Sequence, residues 1–326
     1  MKFARMIAAA ALAAAVPTIA ASVSASADTW PSRPIRIMVG FGAGGGTDIA
    51  ARIVAQPLSE KLGQPVVVEN KPGAGGTIAS NQVAHADKNG YTALVISTGH
   101  TVSAAMFKSL PYDSVKDFAP VGMVANSTYV VVARGDLPVK NLRDLIALAK
   151  AKPGDLKFAS VGVGSTQHLA GELLHQKAGM KVLNVPYRGT PALVTALIAG
   201  EVDYGVELLH AVKGNAEAGK LKILAVGSPE RSPAAPDIPT VAEQGVPGYA
   251  AIAWYGMVYP AGTPAEVVGK TSAALREILA RKDIQAQLEK IGASAKSSTP
   301  EEFGKHLAAE VETWKAVREA AGIEQK

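Results

Sequence analysis

The chain contains no cysteine. Thiolate catalysis, iron–sulfur ligation, cysteine-ligated zinc, disulfides and lipid attachment through an N-terminal cysteine are therefore all excluded. An excess of one charge is lacking too. The formal net charge is +5, and two of the basic residues, Lys2 and Arg5, fall in a segment read below as removable. That balance leaves no electrostatic footprint for nucleic acid. Beyond Asp28 no apolar run approaches the roughly 20 residues needed to cross a bilayer. There is no G-x-S-x-G elbow, and none of the six histidines stands where a serine and an acid would complete a triad. Hydrolysis has no visible machinery. What remains is ordinary globular composition, 48% hydrophobic and 19% charged over 326 residues, long enough for two domains.

The first 27 residues read as a signal peptide. Lys2 and Arg5 precede an alanine-rich apolar run, Pro17 and Thr18 interrupt it, and Ala25-Ser26-Ala27 supplies the small residues of a cleavage site before Asp28. The run is too short for a membrane anchor. The expected product is soluble and periplasmic, with cleavage after Ala27.

Along the rest of the chain, short β-rich apolar runs alternate with helical patterns, first over residues 35–96 and again over 157–226. This alternation predicts two α/β series, each with a parallel sheet. Two extended apolar segments, 121–133 and 250–259, flank the second series and are expected to cross between domains. Domain one is drawn as 28–127 plus 253–326 and domain two as 128–252. Thr263-Pro264-Ala265-Glu266 and Thr299-Pro300-Glu301-Glu302 each predict a capping box with proline at the first helical position. In the last helix Phe303, Leu307, Val311, Trp314 and Val317 form one apolar face. These C-terminal helices are expected to clasp the first series.

Three strands run into glycine-rich turns that open helices: residues 40–48, 72–77 and 162–166. Glycine lets the backbone approach a ligand closely, and a helix start turns unpaired N–H groups outward with partial positive charge. Such loops bind anions. Gly40, Gly42 and Gly45 also match G-x-G-x-x-G, with Glu69 about where a dinucleotide fold places its ribose acid. A dinucleotide-dependent enzyme is thus an alternative, and tight turns made only for packing are another. His168, Glu172 and His175 share one helical face at ligand-like spacing. A local hydrogen bond or a pocket position for His168, with Glu172 and His175 on a solvated face, accounts for them without a metal. Asp48 reads as a first-turn acid complementing its helix dipole or, alternatively, as a ligand contact. Trp254 and Tyr255 are candidates either to wall a pocket between domains or to fill the core.

Several runs carry a resemblance. Trp30-Pro31-Ser32-Arg33-Pro34-Ile35-Arg36-Ile37, Gly42-Ala43-Gly44-Gly45, Glu69-Asn70-Lys71-Pro72-Gly73-Ala74-Gly75-Gly76, Val185-Pro186-Tyr187-Arg188-Gly189-Thr190-Pro191-Ala192 and residues 254–264 resemble the Bug family, periplasmic receptors of tripartite tricarboxylate transporters. The likeness spans essentially the whole chain after the leader. It implies a two-domain α/β periplasmic binding protein of type II-like form, with two crossing hinge strands and a ligand cleft between the domains. It further implies a monomer that uses no cofactor, performs no chemistry and delivers a small carboxylated or polar metabolite to membrane permease subunits. A ligand sensor with a signalling partner is the alternative the same fold allows. In the family the carboxylate is held without a charged partner, by backbone N–H groups, hydroxyls and ordered waters. The matching positions are Phe41, Ala43 and Gly44; Ser97, Thr98 and His100; Gly164, Ser165 and Thr166; and Gly189 and Thr190. Glu207 stands where the family tends to show aspartate. It is expected at the distal end of the pocket, where a carboxylate would disfavour a second ligand carboxylate.

Overall fold

A computed structural model of the protein describes residues 30–326. The expected leader and its cleavage site lie outside the described residues. The elements run β1 (Ile35–Val39), α1 (Gly46–Leu62), β2 (Val66–Asn70), a 3-10 turn (Ala74–Gly76), α2 (Thr77–Ala84), β3 (Thr92–Ser97), α3 (Gly99–Met106), β4 (Phe118–Arg134), α4 (Leu142–Ala151), β5 (Lys157–Ser160), α5 (Thr166–Ala178), β6 (Leu183–Pro186), α6 (Thr190–Ala199), β7 (Tyr204–Leu208), α7 (Leu209–Glu217), β8 (Leu221–Val226), β9 (Ile252–Pro260), α8 (Ala265–Leu279), α9 (Lys282–Lys290), β10 (Ala293–Ala295) and α10 (Pro300–Ala320).

The two α/β series form two parallel triplets. β1 lies between β2 and β3, and β5 lies between β6 and β7. Helical crossovers let parallel neighbours pair, and they cover apolar strands such as β3, whose residues Ala93 to Ile96 are all buried. β4 joins the triplets into one ten-stranded array. Its first part pairs antiparallel with β9, ending at Thr128 opposite Ile252. From Tyr129 onward it pairs with β7, and from Val130 with β8. β4 therefore runs through both halves, whereas β9 pairs only with β3 and the first part of β4, and the second crossing lies just before its start at Ile252.

Each half has its own apolar interior. In the first, Val54 and Leu58 of α1 pack with Ile37 and Val39 of β1 and with Leu275 and Ile278 of α8. In the second, Phe158, Leu169, Leu174 and Tyr204 pack together. Each fully buried side chain of this size contributes about 1.5–3 kcal/mol relative to an exposed one.

The C-terminal helices depart from expectation in two ways. The box predicted at Thr263 does not form: Pro264 takes the flanking position with no side-chain cap, and the helix starts one residue late at Ala265. The Thr263 hydroxyl donates instead to the Pro260 carbonyl at 2.8 Å. The box at Thr299 forms in full, with Thr299 Oγ1 accepting from the Glu302 N–H and Glu302 accepting from the Thr299 N–H. Nor does α10 clasp only the first series. At 1.5 Å per residue its 21 residues span about 30 Å, enough to reach both halves. Phe303 and Leu307 pack with Leu94 and Trp254, while Trp314 and Val317 enter the cluster of Leu169 and Tyr204.

Candidate functional site

A cleft of about 630 Å³ opens where β3, β4 and β9 meet the starts of three helices. Gly45, Gly46 and Thr47 line it from the start of α1, Thr98 and Gly99 from the start of α3, and Ser165, Thr166 and Gln167 from the start of α5. Tyr129, Trp254 and Tyr255 on the crossing strands also line it, while Trp254 and Tyr255 are at the same time buried in the core of the first half.

The first N–H groups of a helix have no intrahelical acceptor and need another partner. Here the usual side-chain caps are largely missing. α1 begins after Gly45, which has no side chain to offer. α3 begins after Thr98, which does not cap it; the Thr98 hydroxyl accepts instead from the Trp254 N–H at 3.0 Å. Only α5 is capped, by Ser165 Oγ accepting from the His168 N–H at 3.1 Å. That bond uses a lone pair of Ser165 and leaves its proton available to donate. Three positive helix ends thus converge on one cavity, each with donors to spare, an arrangement that favours an anion.

Packing explains two of the glycines. A Cβ on Gly40 would lie 2.6 Å from Gly76 Cα, so the first loop can rest on the second only with glycine there. Gly164 has φ of +76°, and a Cβ on it would overlap Met106 Cε. The third loop therefore approaches the end of α3 at a backbone angle that glycine adopts without strain. Asp48 braces the first loop from behind. It is 2% exposed and accepts from the Gly44 N–H at 2.8 Å, from Arg52 at 3.0 Å and from Asn70 at 2.8 Å. Burial alone would push its carboxyl up, but Arg52, Gly44 and Asn70 together hold it below the usual range. It does not line the cleft.

Of the residues proposed from sequence, Phe41, Ser97, Thr98, Gly164, Ser165 and Thr166 come together in the cleft lining. Two expected backbone donors are already engaged: the Gly44 N–H by Asp48 and the Gly164 N–H by His168 Nδ1 at 3.1 Å. Ala43 and Gly44 lie outside the lining. His100 sits behind it, bonded to the Ser114 carbonyl at 2.9 Å and Ser80 Oγ at 3.2 Å; burial pushes its pKa down to about 4. Gly189, Thr190 and Glu207 also lie outside the lining. The Glu207 side chain is wholly buried and turned toward α6, where both oxygens accept from the Thr190 hydroxyl at 3.0 Å and one accepts from the Leu208 N–H at 3.2 Å. Burial pushes its pKa up to about 7, against hydrogen bonds from Thr190, Leu208 and Gln167. Sequence reasoning missed Gly46, Thr47, Gly99 and Gln167, all lining residues in the first turns of the three helices; the anion argument itself could have found them. It also missed Tyr129 and Lys326, for which the sequence offers no signal.

The His168, Glu172 and His175 face is buried, which corrects the reading of a solvated surface. His168 and His175 are each 4% exposed. Glu172 lies between them, 3.6 Å from His168 Nε2 and 3.3 Å from His175 Nδ1, and His175 Nε2 meets the Tyr204 hydroxyl at 2.7 Å. Among the described residues no group of three or more such side chains is placed to hold a metal ion. Glu69, the acid of the dinucleotide reading, instead pairs with Arg36 at 3.6 Å, both half-exposed.

Residues 50–323 match the tripartite tricarboxylate transporter family receptor. The chain is 35% identical to Protein BugT of Bordetella pertussis over 328 residues, covering 100% of both chains. It superposes on R. palustris Rpa4515 with adipate at a TM-score of 0.76 and 34% identity, covering 91% of this chain and 100% of that one. MatC from Rhodopseudomonas palustris with bound malate follows at 0.71 and 32%, covering 88% and 99%. With a shared profile over most of its length and a relative aligned from end to end, the chain belongs to the tripartite tricarboxylate transporter receptors, the Bug-type periplasmic solute-binding proteins.

Proposed function

We propose that this receptor captures a small carboxylate in the cleft, with one carboxylate group against the starts of α1, α3 and α5, and passes it to the permease of a tripartite transporter. The convergence of three helix N-termini, two of them without side-chain caps, on a cavity of about 630 Å³ carries the reading. The protein is exported and trimmed after Ala27, works as a monomer and performs no chemistry on its ligand. The domains, 28–127 with 253–326 and 128–252, close by bending where β4 and β9 part, at Thr128 and Ile252. Bound ligand favours the closed form through contacts made to both sides at once. The adipate with Rpa4515 and the malate bound to MatC support a carboxylate as the chemical class.

Calorimetric titration against a panel of carboxylates tests this directly. A hydroxyl donating to a carboxylate contributes about 1.5–3 kcal/mol, so Ser165→Ala or Thr166→Ala should weaken binding about 10-fold to 100-fold. A panel in which no carboxylate binds, or full affinity in both variants, overturns the proposal.

A further inference from the structure

The third glycine loop has no apolar anchor of its own. From Gly162 to Gln167 no side chain is buried and Val163 is exposed, while Gly162 and Gly164 both sit at positive φ. The next side chain, His168 in the first turn of α5, is buried and fastens the loop twice. Its backbone N–H donates to Ser165 Oγ at 3.1 Å, and its ring Nδ1 accepts from the Gly164 N–H at 3.1 Å. A ring that accepts at Nδ1 carries its proton on Nε2. The neighbours agree with that tautomer. Glu172 Oε1 lies 3.6 Å from His168 Nε2 and 3.3 Å from His175 Nδ1, so its carboxylate faces two ring N–H groups. The Tyr204 hydroxyl then donates to His175 Nε2 at 2.7 Å. A continuous buried chain of polar groups thus runs from the loop at the cleft to β7 in the interior of the second half.

We propose that His168 is a positioning residue of the site: its neutral ring holds the third glycine loop in the shape that presents Ser165 and Thr166 to the cleft, and Glu172, His175 and Tyr204 fix which ring nitrogen does the holding. The effect on affinity rests on the carboxylate reading above, whereas the hold on the loop does not. A protonated imidazole has no acceptor. A proton on Nδ1 would set one N–H against another and release Gly164. Burial, with His175 beside it, outweighs the opposing charge of Glu172 and pushes the His168 pKa below its ordinary 6.5. The ring is therefore neutral at neutral pH. The elements packed on α5 present few other titratable groups. β5 contributes the Phe158 ring, stacked on His168 at 6.5 Å, and Tyr249 donates to the Ala170 carbonyl at 3.1 Å. Glu207 of β7 is engaged by Thr190, and on α10 Glu310 accepts from Trp254 while Arg318 pairs with Glu319.

The test compares the wild-type protein with His168→Asn, whose Oδ1 replaces Nδ1 as an acceptor that does not titrate, and His168→Leu, which fills the space with no acceptor. NMR of the empty proteins reads the loop. At neutral pH the wild-type ring should show the Nε2–H tautomer, and exchange of the Gly164 amide should quicken about 10-fold in His168→Leu while staying within about 2-fold in His168→Asn. On acidification the Gly164 amide shift and the His168 ring signals should move together, with one midpoint below 6.5. Calorimetry with adipate and with malate reads the site: affinity should weaken about 5-fold to 10-fold in His168→Leu and return to within about 2-fold of wild type in His168→Asn. An Nδ1–H tautomer, equal amide exchange in all three proteins, separate midpoints, or equal losses of affinity in the two variants overturns the role of His168 and leaves the carboxylate reading intact. If neither acid binds the wild-type protein, it is the carboxylate reading that is challenged, and the NMR result alone decides whether His168 holds the loop.

Discussion

Glu207 is the acid whose behaviour the structure predicts most sharply. It is wholly buried, and burial pushes its pKa from 4.5 up to about 7. In the unfolded chain the same carboxyl ionises near 4.5. Between these values the folded protein holds a proton that the unfolded chain has lost, so raising the pH disfavours folding. The associated stability is fully present below pH 4.5 and is lost as the pH rises through about 7. A shift of this size corresponds to about 3 kcal/mol, at 1.36 kcal/mol per unit. Glu207→Gln keeps the shape and the neutral charge of the protonated acid while removing its titration. Denaturant unfolding of both proteins should therefore give stability curves that separate in the variant's favour by about 3 kcal/mol between pH 4.5 and 8. Any pH-independent cost of the substitution cancels in that difference, and so do the titrations common to both proteins. Parallel curves would show that Glu207 is ionised in the fold and fully compensated by Thr190, Gln167 and the Leu208 N–H, and would refute the argument.

Other outcomes are equally open to measurement. His100, pushed down to about 4 by burial, should keep the NMR shifts of a neutral ring down to pH 5; its contribution to stability should be lost as the pH falls from 6.5 toward 4, the direction opposite to Glu207. Gly164→Ala forces an alanine to φ of +76° and should destabilise the protein by about 1–2 kcal/mol, seen as a lower melting temperature; an unchanged melt would mean the loop relaxes freely. Thr299→Ala removes the one capping box of α10 and should cost about 1 kcal/mol without altering carboxylate affinity, since Thr299 does not line the cleft. Small-angle scattering should show a more compact particle once a confirmed ligand is added, and superimposable curves would count against closure about β4 and β9.

The fold was legible where periodicity and turn chemistry agreed. Ile35–Val39 and Leu221–Val226 are largely apolar runs bounded by proline, lysine or glycine, and they fold as the strands their composition demands. The face from Phe303 to Val317 is buried at every position named from its spacing. What that face packs against was not legible, because a helical stripe specifies that a partner exists and not which one. The failed cap before α8 has a similar cause. Thr263-Pro264-Ala265-Glu266 and Thr299-Pro300-Glu301-Glu302 are the same pattern to a reader, yet only the second forms a box. The Thr263 hydroxyl has a nearer acceptor at the end of β9, an alternative that local sequence does not reveal.

For the site, the glycine loops pointed to the cleft and only partly to the residues that line it. Loop glycines were expected to donate, but donors in the loops are near side chains that also need them: Asp48 takes the Gly44 N–H and His168 takes the Gly164 N–H. The free donors lie a few residues further on, in the first turns of α1, α3 and α5, where helix geometry itself leaves N–H groups unpaired. Counting from the helix starts instead of from the glycines would have reached Gly46, Thr47, Gly99 and Gln167. Lys326 lies beyond any such rule. Its place at the cleft depends on the length of α10, the Schellman turn at Gly322 and the docking of residues 325–326 on α3. Each of these is a long-range consequence of packing, and only the folded chain brings them to the same wall of the cleft.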